Sequence, residues 1–98
     1  MEVQQPKQNE QQKVQIRAKD DDLKGAYSNM AQIMHTQEEF ILDFFNIAGQ
    51  QGVLSSRVIL SPGHLKRLVQ ALQKNIELYE KNFGNISPAE EPKQSVGF

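Results

Sequence analysis

Three stretches of this chain change the period of their apolar positions, and those changes outline the fold. Tyr27–His35 (YSNMAQIMH) and Glu39–Ala48 (EFILDFFNIA) are short, rich in aromatic and branched residues, and separated by Thr36–Glu38. The second is apolar on both parities, through Phe40, Ile41, Leu42, Phe44, Phe45 and Ile47. Such runs suit strands, whose successive side chains point to opposite faces of a sheet. Gly49–Gly52 (GQQG) has glycine at both ends and reads as a hairpin loop, with Val53–Leu60 (VLSSRVIL) as the partner strand.

The period then lengthens. Leu65, Val69, Leu72, Ile76, Tyr79 and Phe83 follow one another at alternating spacings of four and three, which is one stripe on a helix. Ser61-Pro62 supplies the start, a hydroxyl to accept from the free N–H groups and a proline with no N–H to leave unpaired. Gly84 supplies the stop. Upstream, Val14, Ile16 and Ala18 alternate with Gln15 and Arg17, a half-buried-strand pattern ending at the Lys19–Asp22 turn signal (KDDD). The expected fold is α+β, an antiparallel β-meander of three to four strands with one long C-terminal helix packed on one face. Residues 1–12 and 85–98, rich in Gln, Glu, Lys and Pro, are expected to be a disordered tail and a flexible tail around a single 13–84 domain.

A hairpin at Gly49–Gly52 pairs residues whose numbers sum to about 100, and this sorts the side chains by face. Phe40, Leu42 and Phe44 then lie beside Leu60, Val58 and Ser56, joined by Tyr27, Ala31 and Ile33, and the helix covers that face. The opposite face carries Met30, Met34, Ile41, Phe45, Ile47, Val53 and Ile59, with Asp43 opposite Arg57 and Phe45 opposite Ser55. One helix covers one face, so the second needs another partner, and a second copy of the same sheet is the cheapest. The expected interface is Met30, Met34, Ile41, Asp43, Phe45, Arg57 and Ile59. Asp43 and Arg57 are its polar exceptions, read as a cross-strand ion pair in preference to a carboxylate–guanidinium site.

Length sharpens this. A domain within a chain of 98 residues buries only about 60% of the surface its unfolded chain exposes. With no Cys there is no disulfide or thiolate metal site to add stability. Self-association as a dimer or tetramer is therefore expected, and a different protein partner would satisfy the same patch. A net charge of −1 gives no overall field toward nucleic acid or an anionic membrane. No apolar run approaches the roughly 20 residues that cross a bilayer, and the expected location is cytoplasmic.

Candidate chemistry is sparse. The only histidines are His35 and His64, and GQQG lies between strands, not ahead of a helix as a phosphate loop would. The KDDD run lacks the glycine and distal glutamate of a calcium loop and reads as solvated. No catalytic residue, metal or cofactor is expected. His64, Lys66 and Arg67 form a small basic cluster at the helix start, a candidate contact for an anion or nucleic acid, against which the nearby Glu77 and Glu80 weigh. Val96-Gly97-Phe98 has the form of a docking peptide for some groove, although an untethered end is the preferred reading.

The set Tyr27-x-Asn29, Glu39-Phe40-x-Leu42-Asp43-Phe44, Arg57-Val58-x-Leu60-Ser61-Pro62 and Asn75-x-x-x-Tyr79-Glu80-x-x-Phe83-Gly84 resembles an uncharacterised family of small bacterial and archaeal proteins, known as a domain of unknown function. The resemblance spans Tyr27 to Gly84, leaves both tails outside, and implies a cytoplasmic meander-plus-helix protein with no catalytic residues to carry over. Function is accordingly expected to be a non-enzymatic, oligomeric interaction or adaptor module. The alternatives are a nucleic-acid-associated regulator using the basic cluster and a holdase-like chaperone using the apolar face.

Overall fold

The computed structural model describes residues 12–92 and 95–98, so the expected tail at 1–12 lies almost wholly outside the described residues. Five elements follow in order: α1 (Asp20–Lys24), β1 (Met30–His35), β2 (Phe40–Ala48), β3 (Gln51–Leu60) and α2 (Pro62–Phe83). The three strands form one antiparallel sheet in the order β1-β2-β3. The architecture is α+β, a meander followed by a C-terminal helix.

Each boundary has a local cause. Gly49 opens the two-residue β2–β3 turn with φ 63°, a backbone conformation that favours glycine. In α2, the Ser61 hydroxyl accepts from the His64 N–H at 3.2 Å with Pro62 in the first turn, and Gly84 ends the helix at φ 98°. The KDDD segment is a short helix and not a loop. Its three aspartates sit in the first turn, where the helix dipole favours negative charge, and the Asp22 carboxylate accepts from the Lys19 N–H at 3.1 Å.

Three strand expectations change. β3 begins at Gln51 and not Val53, which shortens the expected Gly49–Gly52 loop to the Gly49–Gln50 turn. Val14–Ala18 forms no strand, and Val14 and Ile16 are exposed, so the sheet has three strands among the described residues. Alternation marks a segment able to pair but supplies no edge to pair with. The first strand begins at Met30 and not Tyr27; just ahead of it the Asn29 N–H still donates to the Phe45 carbonyl at 2.9 Å, and side chains add to that pairing. The Asn29 carboxamide donates to the Ile47 carbonyl at 2.8 Å and accepts from the Ile47 N–H at 2.9 Å, copying a ladder pair. The Ser28 hydroxyl lies 3.0 Å from both the Met30 and the Phe45 carbonyls.

The register follows the sum of 100 from Phe40↔Leu60 to Phe44↔Ser56, then slips by one to Phe45↔Leu54 and onward to Ala48↔Gln51. Ser55 is the extra residue of this β-bulge. Its hydroxyl donates to the Tyr27 carbonyl at 2.9 Å, tying β3 to the segment that enters β1. The slip moves side chains between faces. Leu54, not Ser55, lies opposite Phe45, and Val53 lies opposite Asn46 on the first face instead of the second.

The helix keeps most of its stripe to itself. Leu65 and Leu68 in its first two turns are half-buried, but no helix residue is fully buried. Val69, Leu72, Ile76, Tyr79 and Phe83 remain between 43% and 74% exposed. Half-burial of the helix's apolar side chains is thus confined to its start. None of the described helices is long and apolar enough to cross a membrane.

Replacing Asn29 by alanine is expected to lower stability by about 1 kcal/mol, the net worth of the lost bonds at a solvent-accessible site. Urea unfolding followed by circular dichroism measures this, and an unchanged midpoint would show that water replaces the carboxamide without cost.

Candidate functional site

The second face of the sheet is built from cross-strand rows, each set by the register. Met34, Ile41 and Ile59 form one apolar row; Gln32, Asp43 and Arg57 form the polar row beside it; Met30, Phe45 and Leu54 form the next apolar row. The face therefore brings together the seven residues expected at the interface, plus Gln32 and Leu54, while Val53 leaves it. Leu54 escapes sequence reasoning because only the bulge turns it to this side. The polar Ser55-Ser56 pair inside an apolar strand is the one signal that could have located that bulge.

In the polar row, Asp43 has 0% of its surface accessible while the Arg57 side chain is about half exposed. Arg57 Nε donates to Asp43 Oδ1 and Arg57 Nη2 to Oδ2, both at 2.7 Å. This two-pronged geometry matches the fork of a guanidinium to a carboxylate and needs both residues on one face, directly opposite. Those hydrogen bonds are the main cause that holds the Asp43 carboxyl below its usual range, with the charge of Arg57 adding to them and desolvation opposing. The same bonds push Arg57 up, so it stays protonated. The pair is the structural ion pair preferred from the sequence.

Asp43, Phe45 (4% exposed) and Leu42 on the first face (8%) are the fully buried residues among those described. Phe45 lies on the face that α2 was not expected to cover. It is met there by the chain's own end: the Phe98 ring sits with its centroid 5.8 Å from that of Phe45 and 5.7 Å from the Arg57 guanidinium carbon. Ser95–Phe98 forms one wall of a recess of about 330 Å³ whose floor is Phe45, Ile47 and Leu54 and whose rim is the Gly49–Gly52 turn. The row of Met34, Ile41 and Ile59 lies on the far side of the ion pair and stays partly or largely exposed.

The basic cluster has less to offer. Arg67 Nη2 lies 3.2 Å from His64 Nδ1, which accepts only if that nitrogen carries no hydrogen, and His64, Lys66 and Arg67 are all exposed. The His64 N–H at the helix start is already satisfied by the Ser61 hydroxyl. His35, the other histidine, stacks on Phe40 at 5.3 Å between ring centroids. No group of three or more His, Asp or Glu among the described residues could hold a metal ion.

A family model described as a protein of unknown function (DUF3467) matches residues 1–88, and the chain belongs to that family. The match takes in the N-terminal segment, which the motif resemblance left outside. No curated protein and no solved structure matches the chain.

Because the folded-state pKa of Asp43 is lowered, its contribution to stability is complete above the ordinary carboxylate pKa near 4 and is lost as pH falls through the lower folded value. The double variant Asp43→Asn/Arg57→Leu is expected to lack this component, losing less in thermal midpoint between pH 7 and pH 3 than the parent. Arg57→Leu alone is expected to be less stable at pH 7 than the double variant, since it leaves a buried carboxylate without its partner. Equal acid sensitivity in parent and double variant would remove the pair from the stability of the fold.

Proposed function

We propose that this member of the DUF3467 family is a non-enzymatic interaction module that works as an oligomer, its subunits joining through the stripe of α2. One observation carries the reading: Val69, Leu72, Ile76, Tyr79 and Phe83 form a continuous apolar surface along four turns, and each keeps close to half of its area or more in water. Soluble single chains rarely leave such a stripe bare. A parallel or antiparallel neighbour with the same spacing fits it, since knobs at alternating intervals of three and four seat in a like helix.

Magnitudes favour two copies with more than the helix in contact. Fully burying one such side chain is worth about 1.5–3 kcal/mol. Half of that for ten side chains in two stripes is about 7–15 kcal/mol, comparable with the roughly 4–15 kcal/mol lost on association. The exposed row of Met34, Ile41 and Ile59 is the natural supplement, and it retains part of the sheet interface expected from the sequence. Phe45 and Asp43 already have cover within the chain and supply less to such a contact.

Sedimentation equilibrium at micromolar concentration is expected to give a multiple of the 11.2 kDa chain mass. Leu72→Asp/Ile76→Asp is expected to shift the population to monomer while the sheet's circular dichroism is kept. Ile41→Asp is expected to weaken association by a smaller factor. A parent protein that sediments as a monomer throughout the micromolar range would overturn the reading.

A further inference from the structure

The recess on the second sheet face has the chain's own end as one wall, and the terms on which that end is held differ from those of a core segment. Val96 is half-buried, whereas Phe98 is 86% exposed and touches Phe45 and Arg57 with only part of its ring. Among the described residues, no hydrogen bond ties Ser95–Phe98 to the sheet. Phe45, Ile47 and Leu54 beneath are well ordered by the β2–β3 ladder and do not depend on the tail for position. The cavity, at about 330 Å³, falls within the range of small-ligand and peptide pockets. Its floor is apolar, its rim offers the backbone of a glycine-bounded turn, and a guanidinium stands at one side to meet an aromatic face.

The 14 residues after Phe83 that precede Phe98 are long enough for this return. Fully extended they span about 46–50 Å, against about 33 Å for the length of a 22-residue helix. The turn back is anchored at Glu80, whose carboxylate accepts from the Ile86 N–H at 2.9 Å. Closing so long a connection gives a modest effective concentration, and the contact it supports is shallow.

We propose that the sheet surface over Phe45, Ile47 and Leu54 is a peptide-docking groove, that the chain's own Val96-Gly97-Phe98 lies against it as a displaceable cover and walls the recess beside it, and that an extended peptide with an aliphatic residue two positions before an aromatic one displaces it. The aliphatic side chain takes the Val96 position over the β2–β3 floor. Glycine lets the backbone approach the rim, and the aromatic ring lies between Phe45 and Arg57. The tail then acts as a cover that the same segment of another copy must replace. The groove lies apart from the α2 stripe, so this inference stands or falls independently of the oligomer reading.

The test uses the full-length chain and a fluorescein-labelled peptide of residues 91–98 (Glu-Pro-Lys-Gln-Ser-Val-Gly-Phe), followed by anisotropy. Val96→Ser/Phe98→Ala, which vacates the groove without touching its floor, is expected to bind the peptide about tenfold tighter than the parent, as follows if the resident tail fills the groove about nine-tenths of the time. Leu54→Asp added to that variant is expected to abolish binding, with circular dichroism confirming an intact sheet. In the parent carrying 4-fluorophenylalanine at position 98 alone among its phenylalanines, excess unlabelled peptide is expected to move the fluorine resonance toward that of the free peptide. Equal affinity for parent and Val96→Ser/Phe98→Ala, no saturable binding to either, or an unmoved fluorine resonance would each overturn the proposal.

Discussion

Strand β2 is central in the sheet and apolar on both parities, so the chain has two faces to cover and one helix with which to do it. Most of the remaining structure follows from how that demand is shared. On the first face, Leu42 is closed off while Ile33 and Val58 in its own row keep substantial exposure. On the second, an ion pair and the chain's own C-terminal residues provide the cover. Neither face is finished, and the helix keeps its stripe in water.

The Asp43–Arg57 pair divides the second face into two apolar rows with different surroundings. Toward the Gly49–Gln50 turn, Phe45 and Leu54 line the recess that the tail walls. Toward the other end, Met34, Ile41 and Ile59 have no such cover. A buried carboxylate whose two oxygens are both engaged by one guanidinium holds the central pairing in register, because a slip of one residue would put Asp43 and Arg57 on opposite faces. The bulge at Ser55 lies two residues from Arg57, and it changes the register only beyond this row. The pair therefore marks the boundary between the part of the hairpin that obeys the simple pairing rule and the part that departs from it.

The bulge has a second consequence. By leaving Ser55 out of the ladder, it frees a hydroxyl to hold the Tyr27 carbonyl, and it turns Leu54 toward Phe45. That rotation makes the floor of the recess apolar. With unbroken pairing, Ser55 would have stood there, and a hydroxyl would be a poorer seat for an aliphatic side chain. One extra residue in β3 thus links the entry into β1 with the character of the groove on the second face.

Local features were legible from the sequence wherever one residue type alone meets a backbone need. The limits of α2 at Ser61-Pro62 and Gly84, the turn at Gly49, the facing of Asp43 and Arg57, and the family membership all belong to this class. Side-chain period determined which residues share a face from Phe40 to Phe44, because an antiparallel pair admits one partner for each residue once the turn is set. What the tertiary structure alone decided were matters of competition between partners. Asn29 and Ser28 added side-chain bonds to the backbone pairing ahead of β1, Val14–Ala18 joined neither edge of the sheet, the Ser55 bulge exchanged Leu54 for Val53, and Phe98 returned to the sheet across a long connection. Each of these turns on which of several chemically adequate partners lies within reach, and a sequence pattern records adequacy without distance.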